Sequence, residues 1–353
     1  MWKLAGAITM AVVDAYGPAE MLRRLSDPWW FQAFGCVLGF DWHSSGVTTV
    51  TCGAMKEAYK HFGDDLGIHV AGGKGGTSRK TPTEIARTTD RIALSEGNRL
   101  IFASKMSAKV DSAAVQDGFQ LYHHSFFFSG AGQWCVVQQG MSDAEKSARR
   151  YHWLGESVHD FVCEPHNAID DLRIKPQKPN DQLLLNMVAQ EADQNREKSA
   201  ELINWNPDKL IFEVKKLTEG PTLFAPAHHE VLPQDVNIDR LERVVRKVHE
   251  TQPPDFTTLL GSPGVGPATV RALSLLAEII YDAPASHRDP IDDKKWADYS
   301  YAHGGKDGTP FPVDRSTYDQ SIHVLTDAVR KSRVGNFEKT QALKRLSMFS
   351  RRI

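Results

Sequence analysis

Thr257-Thr258-Leu259-Leu260-Gly261-Ser262-Pro263-Gly264-Val265-Gly266-Pro267-Ala268-Thr269-Val270-Arg271-Ala272-Leu273 decides how the second half of this 353-residue chain is read. A leucine pair ends one short helical pattern, and Ala272, Leu273, Leu275, Leu276 and Ile279 recur at helix spacing beyond it. Between them Gly264-Val265-Gly266 supplies backbone conformations closed to other residues, and Pro267 sits where a first-turn proline belongs. The spacing predicts two helices joined by a tight turn, with N–H groups presented at the start of the second helix, where the dipole favours an anion. Gly264, Val265, Gly266, Thr269 and Arg271 are therefore expected at a phosphate contact that positions a nucleic acid without reading its bases. The plainer alternative is a tight turn in which Val265 plugs a core, since a bare G-x-G is a weak signal.

Working outward, the residues from Asp181 on are helical in pattern: Leu183, Leu184, Leu185, Met187 and Val188 sit beside a polar run from Glu191 to Lys198, and Ile238 to Glu250 forms a second helical stretch. Pro165 to Pro179 lacks apolar pattern and reads as a linker. Before it the chain is mixed. Residues 5 to 26 read as helix broken at Gly17-Pro18, and Thr51 to Phe62 as another. Ile68 to Ala71 and Leu100 to Ala103 are strand-like, and Gln120–Phe128 and Gln133–Gln138 flank Ser129-Gly130-Ala131-Gly132 as a β-hairpin. The expectation is an α/β (α+β) domain over 1–165, a linker over 166–180, and an all-α domain over 181–353.

Composition bounds what such a chain does. It is 41% hydrophobic and 24% charged, ample for one large core or two ordinary ones, and 42 basic against 44 acidic residues leave a net charge of −2. No global basic field exists, so any nucleic-acid site is local. Cys36, Cys52, Cys135 and Cys163 form no C-x-x-C pair, which points to core thiols in a reducing cytoplasm. The apolar run Ala5 to Val13 reads as an amphipathic helix rather than a signal peptide, and no stretch of about 20 apolar residues suggests a membrane span.

Local basic clusters are present. Gly72-Gly73-Lys74-Gly75-Gly76-Thr77-Ser78-Arg79-Lys80 is a glycine-rich loop with Lys74, Arg79 and Lys80, but it lacks the spacing of a nucleotide-hydrolysing loop, so a backbone-phosphate clamp or a solvated basic loop is expected. Lys105, Lys109, Tyr122, His123, His124, Arg149 and Arg150 fall in the segment read as β-rich. Interleaved bases and aromatics suit flipped-out or single-stranded nucleotides, although charged residues on a hairpin usually face water. His123-His124 and His228-His229 are adjacent pairs that point to opposite faces on a strand, so no metal and no cofactor is expected. Residues 330–353 carry a net charge of +7 and read as a phosphate-binding arm or a solvated helix end. Tyr299 to Gly308 is a flexible loop holding His303, Lys306 and Asp307.

The Thr257–Ala277 segment resembles the helix-hairpin-helix element of a DNA glycosylase superfamily, in which the hairpin is followed by an aspartate in a P-V-D segment; Phe311-Pro312-Val313-Asp314-Arg315 matches it. The resemblance implies Asp314 as catalytic acid. The superfamily's strand-cleaving members carry a lysine where this chain has Ala268, so an imine-forming amine would come from Lys105, Lys109 or Lys306. The insert between hairpin and Asp314 is long, and Asp314 as a plain helix N-cap is the alternative.

A second resemblance covers nearly the whole chain. L-R-R-L-S-D-P at 22–28, F-G-C-V-L-G-F-D-W-H-S-S-G-V-T-T at 34–49, G-G-K-G-G-T-S-R-K-T-P at 72–82, S-A-K-V-D-S-A-A-V-Q-D-G-F-Q-L-Y-H-H at 107–124, V-V-Q-Q-G-M at 136–141 and A-R-R-Y-H-W-L at 148–154 are similar to the family known as domain of unknown function 763. That label implies no activity. Its members usually begin with a further Pro-Leu-His-Gly-Gly-like segment, so Met1 is expected to be a late start. Together these readings give a cytoplasmic DNA-binding protein, with double-stranded or damaged DNA as partner. It acts either in lesion processing, as a glycosylase or abasic-site lyase, or as a non-catalytic binding module. A metal-dependent nuclease using Asp111, Asp117 and histidines is the third possibility.

Overall fold

Gly17, at φ 85°, divides the first helical stretch into α1 (Trp2–Tyr16) and α2 (Pro18–Ser26), with Pro18 in the first turn of the second. Asp27 starts the next helix, α3 (Pro28–Leu38), by accepting hydrogen bonds from the backbone N–H of Trp29 at 2.8 Å and of Trp30 at 3.3 Å. Gly39 closes it in the left-handed conformation. The aromatic and apolar run from Trp29 to Leu38 is thus helical. In α4 (Gly46–Phe62) Val47 lies so close to Gly35 that a Cβ there would meet its Cγ1 at 2.6 Å, so side chains of α4 seat directly on the glycine backbone of α3. The computed structural model describes residues 1–40, 46–143, 147–171, 184–218, 237–291 and 315–350.

After β1 (His69–Lys74) come α5 (Thr81–Arg91) and α6 (Gly97–Lys109). Leu100 to Ala103, read as strand-like, lies inside α6. The four-residue apolar run hid its period, because Leu100, Ala103, Met106 and Val110 are buried at helical steps. Lys105 and Lys109 are likewise helical rather than on a β platform. A π-helical turn, Val110–Ala114, leads to β2 (Val115–Gln116), and then β3 (Gln120–Phe128), β4 (Trp134–Ser142), β5 (Ser147–Leu154) and β6 (Ala168–Asp171) follow. The strands order as β1-β3-β4-β5-β6, every neighbour antiparallel. Residues 168–171, assigned to a linker by their weak apolar pattern, are therefore strand β6, completed by pairing with β5.

The remaining elements are β7 (Leu185–Asn186), which pairs with β2, then α7 (Asp193–Ile203), α8 (Pro207–Thr218), α9 (Ile238–His249), α10 (Phe256–Gly261), α11 (Pro267–Tyr281), α12 (Arg315–Lys331) and α13 (Asn336–Ser350). The fold is mixed helix and sheet with a helical C-terminal region.

Strand alternation sends side chains to two separate cores. Phe126, Phe128, Val136, Tyr151 and Trp153 join residues of α5 to α11 on one face. Phe127, Cys135 and Val137 join α1 to α4 on the other, together with Leu325 and Val329 of α12 and Ala342 and Leu346 of α13. Both cores thus draw on residues from the first and the second half of the chain. The basic tail is part of this packing over α13: Arg345 Nε donates to the Val37 carbonyl at 2.8 Å, while Arg351 and Arg352 lie outside the described residues. All four cysteines are free thiols, Cys52 and Cys135 buried. No helix among the described residues is long and apolar enough to cross a membrane.

Arg150 ties the second face together. It is fully buried, donates to Asp170 and to Gln32 Oε1 at 3.1 Å, and stacks its guanidinium 4.8 Å from the Phe31 ring. Burial lowers its proton affinity, and the Asp170 carboxylate works against that. Asp170→Ala leaves this charge without its counter-ion and is expected to lower unfolding free energy by about 3–5 kcal/mol in urea titration. A loss below about 1 kcal/mol would show that the pair does not hold the layers together.

Candidate nucleic-acid interface

Asp255 caps α10 by accepting from the Thr258 N–H at 2.7 Å, and Ser262 Oγ closes it by donating to the Thr258 carbonyl at 2.9 Å. The chain then turns at Gly264, φ 94°, where a Cβ would sit 3.0 Å from Val244 of α9. Val265 is 2% exposed and anchors the turn inside the core, as the plainer reading expected. Gly266 is extended, caps α11, and has open space where a Cβ would be, its nearest neighbour lying 4.0 Å away. Pro263, Gly264 and Pro267 are exposed, so the outward surface of the turn is glycine backbone between two proline rings, at the N-terminus of a 15-residue helix. Thr269 is buried and packs the turn from within rather than belonging to that surface.

A basic stripe flanks the turn. Arg240, Arg243 and Lys247 repeat at i, i+3 and i+7 on α9, on the same side as Val244, and all are exposed. None has an acidic partner among the described residues. Arg246, on the other side of the helix, is engaged by Glu242 at 2.7 Å and Asp208 at 2.5 Å. The sequence reading found this helix but missed the stripe. Its signal was the charge spacing, which acquires meaning only once Val244 is known to touch Gly264.

Behind the turn, one short stretch of chain holds the hairpin. Lys109, at the end of α6, donates from Nζ to the Val265 carbonyl. Gln116 donates to the Pro267 carbonyl at 3.0 Å and accepts from Arg271 Nε at 2.9 Å. The Lys109 ammonium is half-buried, and burial lowers its proton affinity. Arg271 is thus partly occupied within the fold, whereas Lys105, one turn earlier on α6, is exposed.

Between Lys109 and Gln116 the π-helical turn sends Asp111 inward. The carboxylate accepts from Gln138 Nε2 at 2.5 Å and Trp153 Nε1 at 2.9 Å, and its other oxygen meets His166 Nε2 at 2.5 Å. Burial raises the Asp111 carboxyl above its ordinary range against these bonds. Gln138 also donates to the Ser107 carbonyl, which turns its Oε1 to His124 Nδ1 at 2.7 Å. His124 Nδ1 therefore carries the proton, and Nε2 accepts from Ser104 Oγ at 2.9 Å. Desolvation pushes His124 down to about 4.

Two expected phosphate contacts need correction. Arg149 and Arg150 alternate to opposite faces of β5, and both are buried. Arg149 is held by Asp117 at 2.8 Å and by both oxygens of Asp289, at 3.1 and 2.9 Å, while Arg150 is held as described above. Adjacent arginines on a strand covered on both faces become internal counter-ions rather than surface grips. The nuclease reading meets the same obstacle, because Asp117 also accepts from Tyr151 Oη at 2.7 Å and Asp111 is committed to its three partners. No group of three or more His, Cys, Asp or Glu among the described residues is arranged to hold a metal. Asp314 and Lys306 lie outside the described residues. Lys74, the last residue of β1, and Arg79 and Lys80 in the turn after it are exposed.

Layered helices around an antiparallel sheet, with one polar sheet end backed by a helical hairpin, define the class of protein. Over residues 1–313 the chain matches the family described as Protein of unknown function (DUF763), and it belongs to that family. No curated protein and no solved structure matches it.

His124 gives the network a pH signature. Its folded-state affinity for protons lies below its unfolded value, so the unfolded chain binds more protons between pH 4 and 6.5 and stability falls on acidification through that window. The loss should be on the order of 3 kcal/mol for this residue. Unfolding of wild type and His124→Gln from pH 7 to pH 4 checks it: the variant should show the shallower dependence, and equal slopes would refute the assignment.

Proposed function

We propose that this protein binds nucleic acid, double-stranded DNA foremost, through the sugar-phosphate backbone, with α10 and α11 acting as a helix-hairpin-helix. The observation that carries the reading is the turn at the start of α11, with Gly264 and Pro267 exposed and Gly266 partly so, beside three α9 cations without acidic partners among the described residues. A phosphate oxygen suits this arrangement because glycine permits close approach, the helix N-terminus favours an anion, and Arg240, Arg243 and Lys247 are spaced to follow a strand. Val265 and Thr269 serve by packing the turn, and Lys109 and Gln116 by bracing it. The grip is expected to be indifferent to base identity, since contacts to the phosphate backbone carry no sequence information. The free thiols and the sequence reading lead us to place this activity in the cytoplasm.

Binding should fall linearly in a plot of log affinity against log salt, and replacing Arg240, Arg243 and Lys247 by alanine should reduce that slope by about 3. Gly266→Ala adds a methyl where space is open, so it should leave thermal stability unchanged while weakening duplex binding about tenfold. Fluorescence anisotropy with a labelled duplex measures both. Unaltered affinity in both variants would remove the hairpin from the interface.

A second reading, processing of damaged DNA, is favoured by one observation: an amine with lowered proton affinity, Lys109, reaches the hairpin from outside it, where Ala268 occupies the usual lysine position. Borohydride treatment with an abasic duplex would then trap a covalent adduct in wild type and none in Lys109→Arg. Absence of an adduct in wild type ends this reading and leaves the binding reading standing.

A further inference from the structure

The glycine-rich loop after β1 is built more firmly than a solvated turn requires. Lys56 Nζ donates to both oxygens of Glu84, at 3.0 and 2.8 Å, and to the Gly72 carbonyl, while the Gly72 N–H donates to Glu84 at 2.8 Å. Gly72, at φ 88°, lies so close to β3 that a Cβ would fall 2.2 Å from the His124 carbonyl oxygen. The base of the loop is thereby fixed, and the Glu84 carboxylate is consumed. Beyond it Gly75 turns through φ 57°, with open space around Gly75 and Gly76, and the loop closes as Ser78 Oγ donates to the Gly75 carbonyl and Thr81 Oγ1 to the Ser78 carbonyl, both at 2.6 Å.

Three cations, Lys74, Arg79 and Lys80, project from this fixed frame with no acidic partner among the described residues. Lys74 Nζ instead lies 5.7 Å from the Tyr122 ring. A second observation points the same way. His123 stands directly across from Lys74 in the β1–β3 ladder and is 1% exposed; its Nε2 meets Ser125 Oγ at 3.0 Å, yet its Nδ1 has no partner among the described residues. An unpaired buried ring nitrogen costs free energy unless something completes it. Left-handed turns of this kind gather backbone N–H groups into an anion-binding concavity.

We propose that residues 72–80, with His123, form a site for a phosphomonoester dianion. The density of unpaired positive charge on one short loop suits a terminal phosphate, with its two charges and three free oxygens, better than the single charge of a bridging phosphodiester. Such a group comes either from the 5′ end of a nucleic-acid strand or from a free nucleoside monophosphate. The site does not depend on the hairpin reading.

Calorimetry of the full chain with inorganic phosphate, at constant ionic strength set by chloride, tests it without nucleic acid. Saturable binding is expected, weakened at least tenfold when Lys74, Arg79 and Lys80 are replaced together by alanine; these side chains are exposed, so the fold should survive. The His123 imidazole nitrogen signals should shift on phosphate addition in wild type. Tighter binding of a 5′-phosphorylated oligonucleotide than of its 5′-hydroxyl twin assigns the strand end, and saturable binding of adenosine monophosphate without that preference assigns the free nucleotide. No saturable phosphate binding, or binding unchanged in the triple variant, overturns the proposal. Because the hairpin is tested by Gly266→Ala on duplex DNA, failure of one reading leaves the other readable.

Discussion

One ammonium, Lys109 on the Val265 carbonyl, ties the hairpin turn to the end of α6. Without a donor there, the Val265 carbonyl would lose its partner and Gln116 would be left to brace the turn through Pro267 and Arg271. The π-helical turn that follows makes the arrangement compatible with a buried polar network. It lets the chain send Lys109 toward the hairpin and Asp111 into the sheet within three residues, before Gln116 returns to the hairpin at Pro267. Widened turns of this type are common where a helix must serve a function besides packing.

The same end of the sheet gathers the rest of the polar chemistry. Lys74, His123, Gln139, Arg150 and Asp170 occupy one transverse row across all five strands, and His124, Gln138 and Tyr151 lie one residue along it on the other face. Apolar residues fill the opposite end on both faces, where Phe126, Phe127 and Phe128 pair with Val136, Cys135 and Trp134. The sheet is therefore polarised along its strands as well as sandwiched across them. The glycine-rich loop leaves it at the polar end, and β3 enters it there after the segment that braces the hairpin.

What was legible in the sequence was local chemistry. Glycine and proline announced the hairpin turn, Gly17-Pro18 the break between α1 and α2, and strand alternation the opposite facing of His123 and His124. Pairings between distant segments were not legible. Nothing near Arg149 or Arg150 marks them as internal, because their partners Asp289 and Asp170 are brought up by the fold, and the α9 stripe looked like any solvated helix until its neighbour was known. Leu100 to Ala103 shows the remaining limit, since four apolar residues are too few to tell a period of 2 from one of 3.6. Asp314 and Lys306, the pair on which the lesion chemistry most depended in the sequence, lie outside the described residues.

The position of α12 and α13 against α1 and α3 has a consequence for biogenesis. The bond from Arg345 to Val37 spans 308 residues, and the part of the first four helices' apolar surface that the sheet does not cover is buried when these late helices arrive. During vectorial synthesis the opposite layer, built from α5 to α11, can condense on the sheet while the first layer still waits with that part of its apolar surface uncovered. High contact order of this kind slows folding and lengthens the exposure of sticky surface. A truncation that removes α12 and α13 would thus act less on the hairpin than on whether nascent chains escape aggregation long enough to use it.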